Sequence, residues 1–401
     1  MNNIPNFYCL LISEWRRGRG KVLAAIGAGW FLSIGVRLSY PVLLPYLQTS
    51  YNLTLSTAGL LLSVLWVTYA LGQLPGGMLA DHFGEGVIMS IAMIIAAITL
   101  SMVVLGTSTI ILFVATALFG MACALFGTAR LTAVYHTYPD NRGTAIGLIS
   151  AGGDIGNTVL PLVAGILAAV FMWEFGFGYT IPLFLLAGIS LWFVVPNRTS
   201  TLGNSSVVVS IEYAKVVKSG ILKRPVVLIV TIQLLGTSIW QAFTGFYPLY
   251  LMEMKGLSPF IASGLFALFF AMGAFLKPTS GFAYDRFGPR KVLLILMTTS
   301  GTGLLLLPII VGFWPLVFTT AVIAAMGGRG TICLSYMTEE IPDDILNTGL
   351  GTVRTIYMSI GAISPTLLGV VAEAGYFNEG FFMLAATAGL AIVCVLLLSE
   401  H

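Results

Sequence analysis

Charge is what this 401-residue sequence has least of: Asp, Glu, Lys and Arg make up 9% of it, and histidine occurs three times. Soluble globular domains carry about 25% charged residues, so a water-facing surface over the whole chain is excluded. Cysteine is also sparse. The four copies, Cys9, Cys123, Cys333 and Cys394, are scattered, three of them in apolar runs, with neither a CxxC pair nor a His/Cys cluster. A disulfide framework and a metal site are therefore not expected. No phosphate loop or nucleophile constellation is present, and a net charge of +3 leaves no basic patch for nucleic acid. The sequence predicts no enzyme, no cofactor and no nucleic-acid partner.

What is present is apolar: 57% of residues are hydrophobic and the mean hydropathy is +0.96. A bilayer core of about 30 Å needs about 20 mostly apolar residues per helix. Apolar runs between polar breaks predict helices over 22–47, 55–80, 87–106, 109–137, 143–171 and 179–196. A second set follows over 224–252, 259–284, 290–311, 314–337, 347–373 and 378–398. The chain thus reads as an all-α membrane protein of twelve transmembrane helices. Residues 22–196 and 224–398 are expected to form two six-helix bundles, joined by a polar linker over 197–223. Residues 1–21 read as a retained cytoplasmic leader, because basic residues follow its short apolar stretch instead of a cleavage site; residues 399–401 form a short C-terminal tail.

Lysine and arginine set the expected orientation. With the N-terminus inside, thirteen of them fall on the cytoplasmic side and Lys255 alone on the other. Both termini are therefore expected to be cytoplasmic, in a multi-pass protein of the cell membrane.

The two halves repeat. GGMLADHFGEG follows the second helix and SGFAYDRFGPRK the eighth; a shift of 204 residues lays Gly77 on Gly281, Asp81 on Asp285, Phe83 on Phe287 and Gly84 on Gly288. The same shift lays Gly147 on Gly351, Pro161 on Pro365 and Gly165 on Gly369. Internal repeats of this kind mark transporter folds. The motif resembles that of the major facilitator superfamily, G-x-L-A-D-R-x-G-R-[RK]. The resemblance covers the whole chain and implies two pseudo-symmetric six-helix bundles around a central cavity that opens alternately to either side. It also implies that helices one, four, seven and ten line the cavity, while two, five, eight and eleven form the bundle interface.

Glycines such as Gly77 and Gly281 let helices approach closely, and Asp81 and Asp285 can accept bonds from basic loops or helix N-termini. These residues, with Gly84, Gly288, Arg286 and Arg290, are expected to form gates. The first copy departs from the family at His82 and Glu85, where basic residues are usual, so Asp81 is expected to borrow Arg142. Around the second copy, Arg286, Arg290 and Lys291 are expected to face Glu339, Glu340, Asp343 and Asp344.

Five basic residues fall inside predicted spans: Arg37, Arg130, Lys277, Arg329 and Arg354; Asp154 is the one acid deep in a span. Each cation costs about 2.5–3.5 kcal/mol at a helix centre on insertion scales, so five imply a polar interior with work to do. They are candidate ligands of an anion. Ser33, Arg37 and Tyr40 share a helical face, as do Ser150, Asp154, Asn157 and Pro161. Asp154 is a candidate proton-coupling group, because a buried carboxylate among cations changes its proton affinity when an anion arrives. Lys277, in FLKPTSG, resembles the helix-eight arginine of monocarboxylate transporters. Trp240, Gln241 and Tyr247 in helix seven and Trp66 and Tyr69 in helix two are further candidates to shape the pocket.

These features predict a secondary active transporter of a small organic anion, a carboxylate, working as a monomer in the lipid bilayer by proton symport or anion exchange. The alternative is a proton-coupled exporter of drugs or other small molecules on the same scaffold. Such exporters favour acidic cavities and a Gly-Pro pair in helix five, whereas GGDIGNTVLP has none.

Overall fold

The computed structural model describes residues 19–139, 141–196, 223–341 and 346–398. Most of the leader and linker, Arg198, Asp343 and Asp344 lie outside the described residues. Within them the chain is helical, and no strand occurs. The helices are α1 (Arg19–Tyr51), α2 (Leu55–Phe83), α3 (Glu85–Leu105), α4 (Thr109–Thr137), α5 (Arg142–Val170) and α6 (Phe175–Val194). They continue as α7 (Arg224–Glu253), α8 (Pro259–Phe287), α9 (Pro289–Leu306), α10 (Phe313–Glu340), α11 (Leu346–Gly361 and Ser364–Glu373) and α12 (Phe377–Leu396).

In an apolar medium each backbone N–H and C=O must find its partner within the helix, so helix ends depend on local caps. Thr54 and Ser258 accept from the backbone N–H of Thr57 and Ile261, and Ser108 from that of Ile110. Gly84 and Gly288, related by the repeat, take φ of +91° and +77° and each both ends one helix and begins the next. A residue with Cβ is strained there, which explains why the motif keeps glycine in both copies.

Among the described residues, eleven helices are long and apolar enough to cross a membrane. The exception is α9, whose 18 residues begin Pro-Arg-Lys and include Thr298, Thr299, Ser300 and Thr302. It still packs into the bundle against α10 and α12. Three expected helices differ from their predicted course. Helix nine ends at Leu306, not at 311. Helix ten is interrupted by a 3₁₀ turn at Ala324–Gly328, where a side chain at Gly328 would collide with Ser280 of α8 and one at Gly327 would press tightly on the Gly273 backbone. Helix eleven breaks after Gly361, just before Pro365, whose ring and missing N–H disfavour a continuous helix, although its repeat partner Pro161 sits inside an unbroken α5.

In the first half α1 packs on α5, α2 on α4, and α3 on α4 and α6; in the second α7 packs on α11 and α12, α8 on α10, and α9 on α12. The halves meet through α2 with α11, α5 with α8, and α1 with α7. The turns at 84, 138–141 and 288 define one end of the bundle, the motif end; the turns at 52–54, 254–258 and 374–376 define the far end. At the far end the interface is tight. Gly59 abuts Pro365, Gly369 abuts Leu55 and Gly165 abuts Ser263, while the Glu373 carboxylate accepts the Ser56 backbone N–H at 2.8 Å. At the motif end Gly77, Gly147, Gly281 and Gly351 have open space where a Cβ would stand. Along these faces the halves are closed at the far end and parted at the motif end.

Candidate functional site

Besides the Thr366 hydroxyl and backbone N–H of α11 donating to the Ser63 hydroxyl of α2, two polar crossings related by the repeat bridge the halves partway along the interface. At one, Lys277 of α8 donates to Asp154 of α5. At the other, the Gln73 amide of α2 lies 3.5 Å from the Met358 sulfur of α11. The repeat relates them residue by residue: 204 positions beyond Gln73 is Lys277, and 204 beyond Asp154 is Met358. One geometric crossing is thus built twice, once charged and once neutral.

Arg37 is 1% exposed. Its Nε donates to the Ser33 carbonyl one turn back, and its guanidinium lies 3.8 Å from the Tyr69 ring centre, with Trp66 and Trp30 at 5.2 and 5.8 Å. Arg130 is stacked on the other side of this cluster, 3.5 Å from the Trp30 ring centre, with its buried Nε lacking a hydrogen-bond partner. Arg354 is exposed. All three arginines lie within electrostatic reach of the Tyr69 side chain, so helices one, two, four and eleven bring three positive charges around one phenol. Among the described residues, no carboxylate pairs with any of them.

The second half supplies a cavity of about 230 Å³, lined by Lys277, Arg329, Trp240 and Thr237 of this half and by Ile34, Asp154 and Asn157 of the other. Lys277 keeps 40% of its side chain exposed and Asp154 21%, so solvent reaches the pair. Arg329 is buried against Gly236, and its terminal nitrogen donates to the Gln233 backbone carbonyl at 3.2 Å and to the Gln233 side chain. Its Nε, like the Asn157 Oδ1, is buried with no hydrogen-bond partner. The cavity and the arginine cluster adjoin, since the Trp240 and Trp66 rings meet edge to face at 5.5 Å and Ile34 lies three residues before Arg37 on α1.

The remaining expected residues divide. Trp240 lines the cavity, whereas Gln241 is buried beside it on α7 with its Oε1 unpartnered. Tyr40 does not join Arg37: it is packed between Phe119 and Phe177, its hydroxyl bonded to Thr116. The three-residue step from Arg37 carries it to the α4 and α6 side of the helix, into the core of its own half. Tyr247 is likewise buried, bonded to Thr320. In the first motif copy Arg142 stacks on Tyr135 at 3.6 Å, and Glu85, standing where the family usually has a base, meets His136 at 2.7 Å. In the second, Arg290 donates to the Leu396 carbonyl at the end of α12 at 3.0 Å, a favourable place for a cation. Asp81, Asp285 and Arg286 are exposed.

Sequence reasoning passed over Trp30, Gln233, Thr237 and the side-chain amide of Asn157 as cavity or cation partners. Gln233 and Thr237 stand on a different helix from Arg329, and helical periodicity carries no signal about which neighbour they face; Trp30 shares the face of Arg37 at a seven-residue step and was within reach of it.

The family model for the Major Facilitator Superfamily matches residues 25–278 and 255–401. A hexuronate transporter of Bacillus subtilis is 23% identical over 380 residues, covering 89% of this chain and 90% of that protein. A cis,cis-muconate transport protein of Acinetobacter baylyi is 24% identical, covering 85% and 84%. Among solved structures, a single-residue mutant of the nucleoside transporter NupG superposes with a TM-score of 0.80 at 16% identity over 94% of this chain and all of that one. A bacterial homologue of the human lysosomal transporter Spinster, inward-facing and unoccupied, gives 0.78 at 17% identity over 95% and 97%. These structures share the fold. With a family model that runs through both halves of the repeat, the chain belongs to the major facilitator superfamily and is a multi-pass secondary transporter of a small molecule.

Proposed function

We propose that the transported molecule is a small organic anion, a carboxylate, carried together with a proton. The observation that supports this most is the burial of Arg37 and Arg130 against aromatic rings, with no carboxylate partner among the described residues. Desolvating a charge costs several kcal/mol, while a ring face returns about 0.5–2 kcal/mol. An anion between the halves closes that gap. In this reading Arg37, Arg130, Lys277, Arg329 and Arg354 form its electrostatic seat; the Arg37 Nε is taken by the Ser33 carbonyl, so terminal guanidinium nitrogens are the donors offered to a carboxylate. Two relatives are named for organic acids, hexuronate and cis,cis-muconate.

The Lys277–Asp154 pair supplies coupling. A substrate carboxylate competes for Lys277; Asp154, released beside it, takes a proton, and the neutral acid no longer holds the halves together at that crossing. The Gly77/Asp81/Arg142 and Gly281/Asp285/Arg290 segments serve as gates that meet when the motif end closes. The thirteen-to-one lysine and arginine bias supports the motif end as cytoplasmic, so the arrangement described is open inward. A cationic drug fits this seat poorly, and the cavity is smaller than the roughly 300–1,000 Å³ of pockets that hold drug-sized ligands.

Uptake of radiolabelled monocarboxylates and dicarboxylates into proteoliposomes under an inward proton gradient tests the reading. Accumulation is expected for at least one class, and Arg37→Ala or Lys277→Ala is expected to lower it at least tenfold. Undiminished uptake in both variants sinks the anion seat.

A further inference from the structure

The cavity is polar at one end and aromatic at the other. Four of the five lining helices share an order. On α8, Phe270, Gly273, Ala274 and Lys277 share a face at three- and four-residue steps; Lys277 stands about 10 Å nearer the motif end than Phe270 at 1.5 Å per residue. On α10, which also runs towards the motif end, Ala324 precedes Arg329. On α7, which runs the opposite way, Thr237 is nearer the motif end and Trp240 deeper. On α5, Asp154 again precedes Asn157 going inward. Three helices therefore put a charged side chain towards the open end and α7 a threonine, with Phe269, Phe270 and Trp240 beneath.

The floor is correspondingly short of hydrogen-bonding groups. Phe270 meets Phe269 edge-on at 5.0 Å and Trp240 at 6.3 Å, and the backbone of Gly273 is brought close by Gly327. Among the described lining residues, Asn157 brings the one side-chain amide at that depth. A polyhydroxylated acid entering here buries several hydroxyls against rings, and each hydroxyl left unpaired opposes binding. A flat apolar body loses nothing there and stacks on the rings.

We infer that the substrate is an aromatic or conjugated monocarboxylate, bound with its carboxylate towards Lys277 and Arg329 and its planar body on Phe270 and Trp240, and that sugar acids are excluded. This inference rests on the anion reading above and narrows the carboxylate's direct contacts to Lys277 and Arg329, the two cations that line the cavity, with Arg37 acting from behind Trp66 as a long-range field. The size agrees: about 230 Å³ accommodates one ring or a short unsaturated chain.

The test uses the purified full-length protein, with ligand-induced thermal stabilisation and inhibition of uptake as readouts and three probes: benzoate, its uncharged analogue benzyl alcohol, and the larger, polyhydroxylated glucuronate. Benzoate is expected to bind at least tenfold tighter than either of the others. Phe270→Ala and the milder Phe270→Leu, which keeps apolar volume but removes the ring, are expected to reduce benzoate binding about tenfold. Lys277→Gln is expected to weaken benzoate at least tenfold with little change for benzyl alcohol. Glucuronate binding as tightly as benzoate overturns the aromatic assignment and leaves the anion seat standing. Benzyl alcohol binding as tightly as benzoate removes the anion seat itself, and binding of none of the three rejects both. Unchanged benzoate affinity in a folded Phe270→Leu protein moves the planar body off that ring and overturns the geometry.

Discussion

Lys277 and Asp154 form an ion pair whose energetics differ from those of an exposed one, because each stands inside a membrane-embedded interface with solvent on one side only. Removing one partner leaves the other charge uncompensated, which is more damaging than removing both. Thermal unfolding of the single variants Lys277→Gln and Asp154→Asn and of the double variant is therefore expected to give a coupling energy of about 1–3 kcal/mol, with the double variant less destabilised than the singles together imply. Strict additivity of the three melting shifts argues against a structural bond. Transport separates the roles further: Asp154→Asn is expected to retain substrate counterflow while losing accumulation driven by a proton gradient at least tenfold. For Arg130, stacked on Trp30, lysine is a poor replacement because it offers no planar face, so Arg130→Lys is expected to transport little better than Arg130→Ala. At this scale the sequence identified the unusual residues well. All five cations and Asp154 were legible as misplaced charges in apolar runs. Of their ring partners, Trp66 and Tyr69 were singled out as pocket residues but not as partners of a cation, and Trp30 was not singled out; nor was the separation of Tyr40 from Arg37 legible, since a three-residue step turns a side chain through about 300° and a neighbouring helix decides which side is core.

The helices themselves were legible to within a few residues, because apolar runs and turn residues record the bilayer thickness directly. Breaks within α10 and α11 were missed, since their hydropathy is continuous across them and the cause lies in glycine contacts with α8 and a proline that sequence alone places in an ordinary span. The interface glycines carry a prediction that belongs to the elements rather than to any one side chain. Gly369 lies against the Leu55 backbone, so Gly369→Leu must push α2 and α11 apart at the far end; overpacking of this kind costs about 1–3 kcal/mol and is expected to lower the melting temperature. Gly77→Leu and Gly351→Leu enter open space in the arrangement described. They are expected to leave the melting temperature nearly unchanged while slowing transport severalfold, because the gating proposed above closes the motif end on them. Equal transport in the Gly77 and Gly351 variants and the parent protein shows that these faces never meet.

Over the whole molecule, net charge movement follows from the proposed pairing of one carboxylate with one proton. The loaded protein then carries no extra charge across the membrane, and uptake in proteoliposomes is expected to respond to a pH gradient but not to a potassium diffusion potential. Uptake that doubles or more with an imposed potential and no pH gradient excludes the one-to-one stoichiometry. The duplicated architecture was visible as a single 204-residue offset, and the structure extends that offset to the two crossings, Gln73 with Met358 and Asp154 with Lys277. Their shared geometry has a bearing on how such a protein arises. Once a six-helix unit is doubled, one copy of each contact suffices to keep the halves in register, and the other is released from that duty to acquire chemistry without endangering assembly. Directed evolution of a new coupling ion or ligand therefore has two starting points here: rewriting the crossing already charged, or opening a second at Gln73 and Met358.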